Sequence, residues 1–274
     1  MIVYDKNGYF KRSAYSADGE PLTGAYKADG SPVPEELFRA VAIVGELPAY
    51  TTSGLFQGAC TDGEYIYLIS FDSNAYTTGM FIKYKISDGT VTTKTFDATI
   101  PYNHGNDMAY NPNNQHIYVA AMSADGAVME LDTDFNYITT HYLVGKNGNA
   151  YAVWGLCFDR NANHFLSEQG NGMCVYDQSF NYLSWFALPE HPNATGQGCE
   201  TDGSFIYRIT YNPNYIDVAT ITGEYVCTIE LPLAGTGGHS LGEPETLMYN
   251  WGNGRYYINT NFMTQLFYEV DFKM

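Results

Sequence analysis

The densest run of chemically capable side chains in this chain is His104-Gly105-Asn106-Asp107, and a pair of carboxylates follows much later at Glu243-Pro244-Glu245. A histidine and an aspartate supply a base and an acid. Three residues apart on an extended strand, however, they point to opposite faces, so His104 and Asp107 do not make a dyad by themselves. His104 set against Glu243 or Glu245 across a channel is the easier acid–base arrangement. The two glutamates are two residues apart and share one face of an extended segment. Such a pair raises the pKa of one carboxyl and furnishes a general acid, although it serves equally well as a solvated rim.

What would gather these residues is a repeat. One segment recurs about five times at a spacing of roughly 45 residues. Its clearest copies are Ala59-Cys60-Thr61-Asp62-Gly63-Glu64-Tyr65-Ile66-Tyr67 and Cys199-Glu200-Thr201-Asp202-Gly203-Ser204-Phe205-Ile206-Tyr207, with looser copies starting at Met108, Leu156 and Leu247. Repeats of this length, made of short strands, mark a β-propeller with one repeat per blade. Runs such as 65–69 and 128–132 are short, β-branched or aromatic, and end at Asp, Gly, Asn or Pro. No stretch sustains helical periodicity. The expected fold is all-β, a five-bladed β-propeller of four-stranded antiparallel blades covering roughly 53–97, 102–145, 150–189, 194–233 and 241–274. The last repeat holds only three strands. Residues 38–48 resemble the rim strands at 182–189 and 225–232, so this N-terminal strand is expected to close the last blade and remove two exposed edges.

Aligning the repeats on Asp62, Asn111, Asp159, Asp202 and Asn250 brings Gln57, Asn106, Trp154, Gln197 and Glu245 into one register, five residues earlier. Glycines accompany them at 58, 105, 155, 198 and 242, the second and last shifted in register, where adjacent strands crowd the axis. The expected result is a polar, acidic ring with one indole at a channel mouth, flanked by Asn103, His104, Asp107, His239 and Glu243. One reading is structural, because amides satisfy backbone groups at a channel mouth. The other is a ligand pocket of Gln57, Asn106, Asp107, Trp154, Gln197 and Glu245, in which Trp154 stacks on a sugar or ring. No cofactor is expected. Calcium is the cation that Asp107, Glu243 and Glu245 suit, but no loop has EF-hand spacing.

Residues 1–36 differ from the rest. Tyr4-Asp5-Lys6-Asn7-Gly8, Tyr15-Ser16-Ala17-Asp18-Gly19 and Tyr26-Lys27-Ala28-Asp29-Gly30 repeat every 11 residues around tight-turn dipeptides. This segment is too weakly apolar to fold alone. It is expected to order on a partner, in an oligomer or on the propeller rim, giving an attachment segment at 1–36 and a propeller at 37–274.

Composition narrows the partners. The formal charge is −17, with 13 Lys and Arg against 30 Asp and Glu. Phosphate binding needs clustered cations, so neither nucleic acid nor an anionic membrane surface is expected. No apolar run is long enough to span a membrane. The N-terminus lacks a signal-peptide core, which points to synthesis in the cytoplasm. The 5 cysteines include no CxxC pair and read as free core thiols; Cys60, Cys157 and Cys199 fall on the equivalent strand of three blades. Nucleophile-elbow, zincin, Walker A and dinucleotide motifs are absent, and Asn193-Ala194-Thr195 is a sequon in letters only.

Two resemblances sit on these residues. The Tyr/Asp-Gly leader and the 104–112 run are similar to phage and prophage tail-associated propeller proteins of Gram-positive gut bacteria. That resemblance implies a leader that attaches to other tail or particle proteins, and a module that recognises a host-surface ligand, a glycan, on a virion or extracellular particle. Separately, Phe56-Gln57-Gly58, Trp154-Gly155-Leu156 and Glu243-Pro244-Glu245 resemble inner-strand motifs of the five-bladed glutaminyl cyclotransferase family, which read roughly Phe-Thr-Gln-Gly-Leu, Gly-Trp-Gly-Leu and Asn-Glu-Leu-Glu. This implies a channel-mouth enzyme, cyclotransferase-like or glycan-cleaving. The chain departs from that family in carrying His104-Gly105-Asn106-Asp107 where the family has a Gly-Glu-Gly run. A purely structural particle component is the third expectation.

Overall fold

The structure, a computed structural model, describes residues 41–46, 54–72, 76–97, 99–188, 195–211, 214–231, 243–261 and 267–272. Its twenty strands form five four-stranded antiparallel sheets, the blades of a propeller. Blade 1 is β2 (Leu55–Thr61), β3 (Tyr65–Phe71), β4 (Gly79–Lys85) and β5 (Val91–Thr95). Blade 2 is β6 (Asp107–Asn111), β7 (His116–Ala120), β8 (Ala127–Asp132) and β9 (Tyr137–Tyr142). Blade 3 is β10 (Leu156–Asp159), β11 (His164–Gln169), β12 (Gly172–Tyr176) and β13 (Tyr182–Ala187). Blade 4 is β14 (Thr195–Thr201), β15 (Phe205–Tyr211), β16 (Tyr215–Thr220) and β17 (Tyr225–Glu230). Blade 5 is β18 (Glu243–Asn250), β19 (Arg255–Asn261) and β20 (Phe267–Phe272), completed by β1 (Val41–Glu46).

β1 runs antiparallel to β20, from Val41 opposite Phe272 to Glu46 opposite Tyr268. The ring is therefore closed by β1, the first strand among the described residues, as the sequence predicts. Residues 38–40 and 47–48 of that expected closing segment lie outside the described residues, as do the leader 1–36, His239, Gly242 and Asn193.

The core lies between blades rather than inside one. Tyr67 and Phe81 of blade 1 meet Ile117 and Met129 of blade 2. Tyr118 and Val128 of blade 2 meet Phe165 and Tyr176 of blade 3. Leu166 meets Ile206 across blades 3 and 4, and Ile209 meets Ile258 across blades 4 and 5. Phe56 and Leu68 of blade 1 close the circle on Met248 and Phe267 of blade 5. Each inner strand is covered on both faces, so it reads as a continuous apolar or small-residue run rather than an alternating one. The rim strands β5 and β9 are mostly exposed or half-buried.

The Asp or Asn of the repeat is a turn device. Asp62 Oδ1 accepts the N–H of Glu64 and of Tyr65 at 2.8 Å, and Asp202 Oδ1 does the same for Ser204 and Phe205. Asn111, Asp159 and Asn250 hold the equivalent turns of the other blades. Gly63 and Gly203 take the positive φ that follows, at 108° and 82°. Tyr67 and Tyr207 then return their hydroxyls to Oδ2 of the same aspartates at 2.6 and 2.8 Å. The Asp-Gly-x-x-Ile-Tyr signature is thus a self-bonded inner hairpin, and it lies at the mouth opposite the polar ring. All five cysteines are free. Cys157 and Cys199, on neighbouring hub strands, bring their Sγ atoms to 3.7 Å.

Candidate functional site

The N-terminal ends of β2, β6, β14 and β18, with the residues just before β10, converge on one mouth of the channel. At its floor is Asp107, fully buried. Asp107 Oδ2 accepts the N–H of Leu156 and of Cys199, each at 2.9 Å, and Oδ1 accepts that of Met108 at 2.9 Å and the hydroxyl of Thr246 at 3.3 Å. A Cβ placed on Gly58 would lie 2.6 Å from the Asp107 backbone, and one on Gly198 would lie 3.0 Å from its carboxylate. The glycines at those two ring positions therefore make room for one aspartate, which touches all four other blades. Burial pushes its pKa well above the ordinary value, and the three backbone N–H groups pull it part of the way back.

Above Asp107 sits a layer of amides. Asn106 Nδ2 donates to the carbonyls of Trp154 at 2.6 Å and Gln197 at 2.5 Å. Gln57 Nε2 donates to Glu245 Oε1 at 3.3 Å, Asn259 Nδ2 donates to the Gln57 carbonyl at 2.7 Å, and Gln197 Nε2 donates to Glu243 Oε1. In Asn106, Gln57 and Asn259 the nitrogen faces an acceptor, so the bond fixes where the amide oxygen points. Those oxygens, Gln57 Oε1, Asn106 Oδ1 and Asn259 Oδ1, have no hydrogen-bond partner among the described residues, and neither does Glu245 Oε2. Buried polar atoms are rarely left this way: the amide oxygens can only accept and so call for donors, whereas Glu245 Oε2 donates when that carboxyl is protonated.

The sequence-predicted ring is thus assembled, but by a device that strand alternation does not anticipate. The ladder of β2 shifts register between Phe56 and Ala59, that of β14 between Gly196 and Gly198, and that of β18 between Pro244 and Thr246. Gln57, Gln197 and Glu245 lie at these three irregularities, which re-aim a side chain at the cost of local pairing. Glu243 and Glu245 therefore take different hydrogen-bond partners, although the charge of Glu243 still bears on Glu245. Glu243 reaches Gln197 of blade 4 and Glu245 reaches Gln57 of blade 1. Glu245 is 1 % exposed; burial, then the charge of Glu243, drives its pKa well above the ordinary value, against the amides of Asn261 and Gln57. Burial raises Glu243 as well, partly offset by Gln197.

Trp154 contributes to the ring through its carbonyl, and the residue is 36 % exposed. His104 is not on an inner strand. The chain reaches β6 through Asn103 and Gly105, both at positive φ (49° and 54°), and His104 stands between them. Burial lowers its pKa, with partial compensation from Asn106. Its ring packs on Tyr76, with centroids 4.1 Å apart. Tyr76 is a residue that sequence reasoning missed. It holds a φ of 51°, a strained conformation for an aromatic residue, and burial followed by the charges of Glu245 and Glu243 raises its pKa. Glu168 and Arg208 were missed too. They form a buried ion pair beside the mouth, Arg208 Nε lying 2.8 Å from Glu168 Oε1, against Gly196. No group of three or more His, Cys, Asp or Glu side chains able to hold a metal converges among the described residues.

The opposite mouth carries Arg160. Its guanidinium lies over the rings of Trp251 at 5.3 Å and Tyr110 at 5.9 Å. Close by is the half-buried Glu200, which accepts the N–H of Thr201 at 2.7 Å and of Tyr249 at 3.0 Å. An arginine of blade 3 thus spans blades 2 and 5 beside a carboxyl of blade 4, which stoppers that end.

No family model matches the chain, and no curated protein matches it. Solved structures do. The glutaminyl cyclase of Myxococcus xanthus is similar with a TM-score of 0.63 at 14% identity, over 84% of this chain and 95% of that one. The calcium-binding protein regucalcin from Agrobacterium tumefaciens is similar with a TM-score of 0.54 at 10% identity, over 83% and 93%. The tail fiber of Staphylococcus aureus phage P68 is similar with a TM-score of 0.56 at 13% identity, over 86% of this chain and 53% of the fiber, so the chain spans about half of that protein. At these identities the likenesses establish the fold alone. Both groups that the motifs resemble, phage tail proteins and glutaminyl cyclases, are represented among them.

Proposed function

We propose that the chain is a phage-type tail or adhesion module that holds a host-surface glycan at the mouth formed by Gln57, Asn106, Trp154, Gln197 and Glu245. The observation that carries this reading is the set of fixed, unpartnered amide oxygens on Gln57, Asn106 and Asn259 in the mouth to which the partly exposed Trp154 also belongs. Burial keeps His104 and Glu245 toward their neutral forms. The pocket therefore offers hydrogen bonds rather than ionic ones, with Trp154 supplying a flat apolar face. Sugar hydroxyls donate to such oxygens while the ring stacks on the indole. The likeness to a phage tail fiber supports the setting, and the acidic chain favours a neutral ligand over an anionic one.

The test is binding of the labelled full chain to intact Gram-positive gut bacteria and to their purified envelope polysaccharides, with and without chelator. Saturable binding competed by one polysaccharide is expected. Absence of binding to every cell and polysaccharide overturns the reading, and sensitivity to chelator adds a metal to it.

One observation favours a second reading, an enzyme at the same mouth. Glu245 is a buried carboxyl held toward its protonated form beside a second carboxylate, which is the state of a general acid. The likeness to a glutaminyl cyclase fits this reading. Cyclisation of an N-terminal glutamine, or cleavage of a bound glycan, that disappears in Glu245→Gln while the fold is retained would establish it.

A further inference from the structure

A groove of about 720 Å³ lies on the side of the propeller, between the rim strand of blade 1 and blade 2. Its lining brings together aromatic and hydrogen-bonding side chains, among them Tyr102, Tyr137, Tyr142, Asp97, Asp125 and Asn103. Among the described residues, seven large apolar or aromatic side chains are exposed, and four of them, Tyr137, Ile138, Tyr142 and Val144, fall within 137–144. Tyr142 is the most open of the seven, at 63 %. Tyr102, by contrast, is buried against Phe81 and Phe96, with centroids 5.0 Å away in each case. The groove thus has a rigid aromatic floor and two exposed phenol rings at its rim, the Tyr137 hydroxyl being paired with Thr140 Oγ1 at 2.9 Å.

Its polar groups are acceptors with capacity to spare. Asp97 Oδ1 is held by the N–H and hydroxyl of Thr99 at 2.9 and 2.7 Å, and Asp125 Oδ1 by the hydroxyl of Ser123 at 2.5 Å and the N–H of Ala127 at 3.3 Å. Oδ2 of each carboxylate makes no hydrogen bond among the described residues. The single cation in the lining, Lys94, is already committed to the Asp134 carbonyl at 3.2 Å and Asn136 Oδ1 at 2.6 Å. Two fixed carboxylates with no free cation repel an anionic ligand. Oriented acceptors beside exposed tyrosine faces suit a neutral, hydroxyl-rich chain whose sugar rings stack while their hydroxyls donate. The volume falls within the range of small-ligand sites.

We propose that this groove is a second binding site, distinct from the channel mouth, for a neutral oligosaccharide strand. The site stands on its own lining and does not depend on what the channel mouth binds. Asn103 lines the groove, and its neighbour His104 packs on Tyr76 at the mouth, so one short segment borders both places.

The experiment is affinity electrophoresis of the full chain in native gels containing dextran, mannan or mixed-linkage β-glucan, with Tyr137→Ala/Tyr142→Ala and Trp154→Ala run alongside. Both tyrosines are exposed, so the double variant is expected to melt with the parent, which a thermal scan checks. At least one polysaccharide should retard the parent and Trp154→Ala alike, and the double variant should bind roughly tenfold more weakly. Three results overturn the site: no retardation by any of the three polymers, equal retardation of the double variant, or retardation lost in Trp154→Ala but kept in the double variant. The last assigns the binding to the channel mouth and leaves that reading standing while this one falls.

Discussion

The carboxylate of Asp107, on the innermost strand of blade 2, accepts the backbone N–H of Cys199 on the innermost strand of blade 4 at 2.9 Å. The two blades are not neighbours in the ring. One side chain thus reaches across the axis, and the same oxygen also holds Leu156 of blade 3 at 2.9 Å. Hydrogen bonds to a carboxylate in a dry site are strong, and leaving the donors unmade is costly. Asp107→Ala strands three N–H groups and is expected to cost about 3–5 kcal/mol in urea unfolding. Asp107→Asn keeps the volume and one acceptor oxygen but turns an amide donor toward a donor, so a smaller loss is expected. An Asp107→Asn protein within about 0.5 kcal/mol of the parent would show that the knot is not what holds the hub.

At the mouth, substitutions should separate binding from folding. Trp154 is partly exposed, and its structural bond is made by the backbone carbonyl. Trp154→Ala is therefore expected to leave the melting temperature nearly unchanged while weakening polysaccharide binding at the mouth roughly tenfold. Glu245→Gln keeps the size and one acceptor, so it should fold and weaken the same binding less. Titration calorimetry with the competing polysaccharide measures both. Unchanged affinity in Trp154→Ala would remove the indole from the site.

How much of this was legible in the chain follows from which forces are local. The Asp-Gly-x-x-Ile-Tyr hairpin is a local hydrogen-bonded unit, so the sequence exposes it directly, and with it the blade count and the register of Gln57, Asn106, Trp154, Gln197 and Glu245. The closing role of residues 41–46 was legible because a rim strand missing from blade 5 had a look-alike near the start. The pointing of the ring was not legible. It depends on ladder irregularities at Gln57, Gln197 and Glu245, which nothing in those letters marks. Tyr76 was invisible because its place at the mouth comes from a strained φ and from His104, a non-local neighbour. Arg160 reads as an ordinary turn residue until the ring brings Trp251 and Tyr110 to either side of it.

Ring closure gives a stability prediction of its own. β1 satisfies the edge of β20 from Val41 to Glu46 and supplies the fourth strand of blade 5. Deleting residues 37–48 leaves that edge open next to the blade 1 junction, where unpaired strands recruit other chains. The shortened protein is expected to lose cooperative unfolding and to elute as oligomers in size-exclusion chromatography, whereas deleting residues 1–30 should preserve a monomer-sized peak with the parent's melting temperature. Equal behaviour of the two truncations would mean that the propeller holds without its fourth strand.

The stoppered mouth sets a pH dependence. Burial raises the Glu200 carboxyl from 4.5 to about 7, against the N–H groups of Thr201 and Tyr249 and the charge of Arg160. Between those two values the folded chain keeps a proton that the unfolded chain has released, so stability falls as pH rises through the window and levels off above it. The shift corresponds to a loss on the order of 3 kcal/mol. Asp107 and Glu245 are displaced in the same direction and add to the slope. Calorimetric melting from pH 4.5 to 8 should show this decline, and Glu200→Gln, which cannot ionise, should flatten its upper part. Arg160→Leu removes the cation that favours the Glu200 anion, so the decline should extend to higher pH, on top of a uniform loss from the broken contacts with Trp251 and Tyr110. Parallel melting curves for the parent and Glu200→Gln would show that this carboxyl does not titrate in the window.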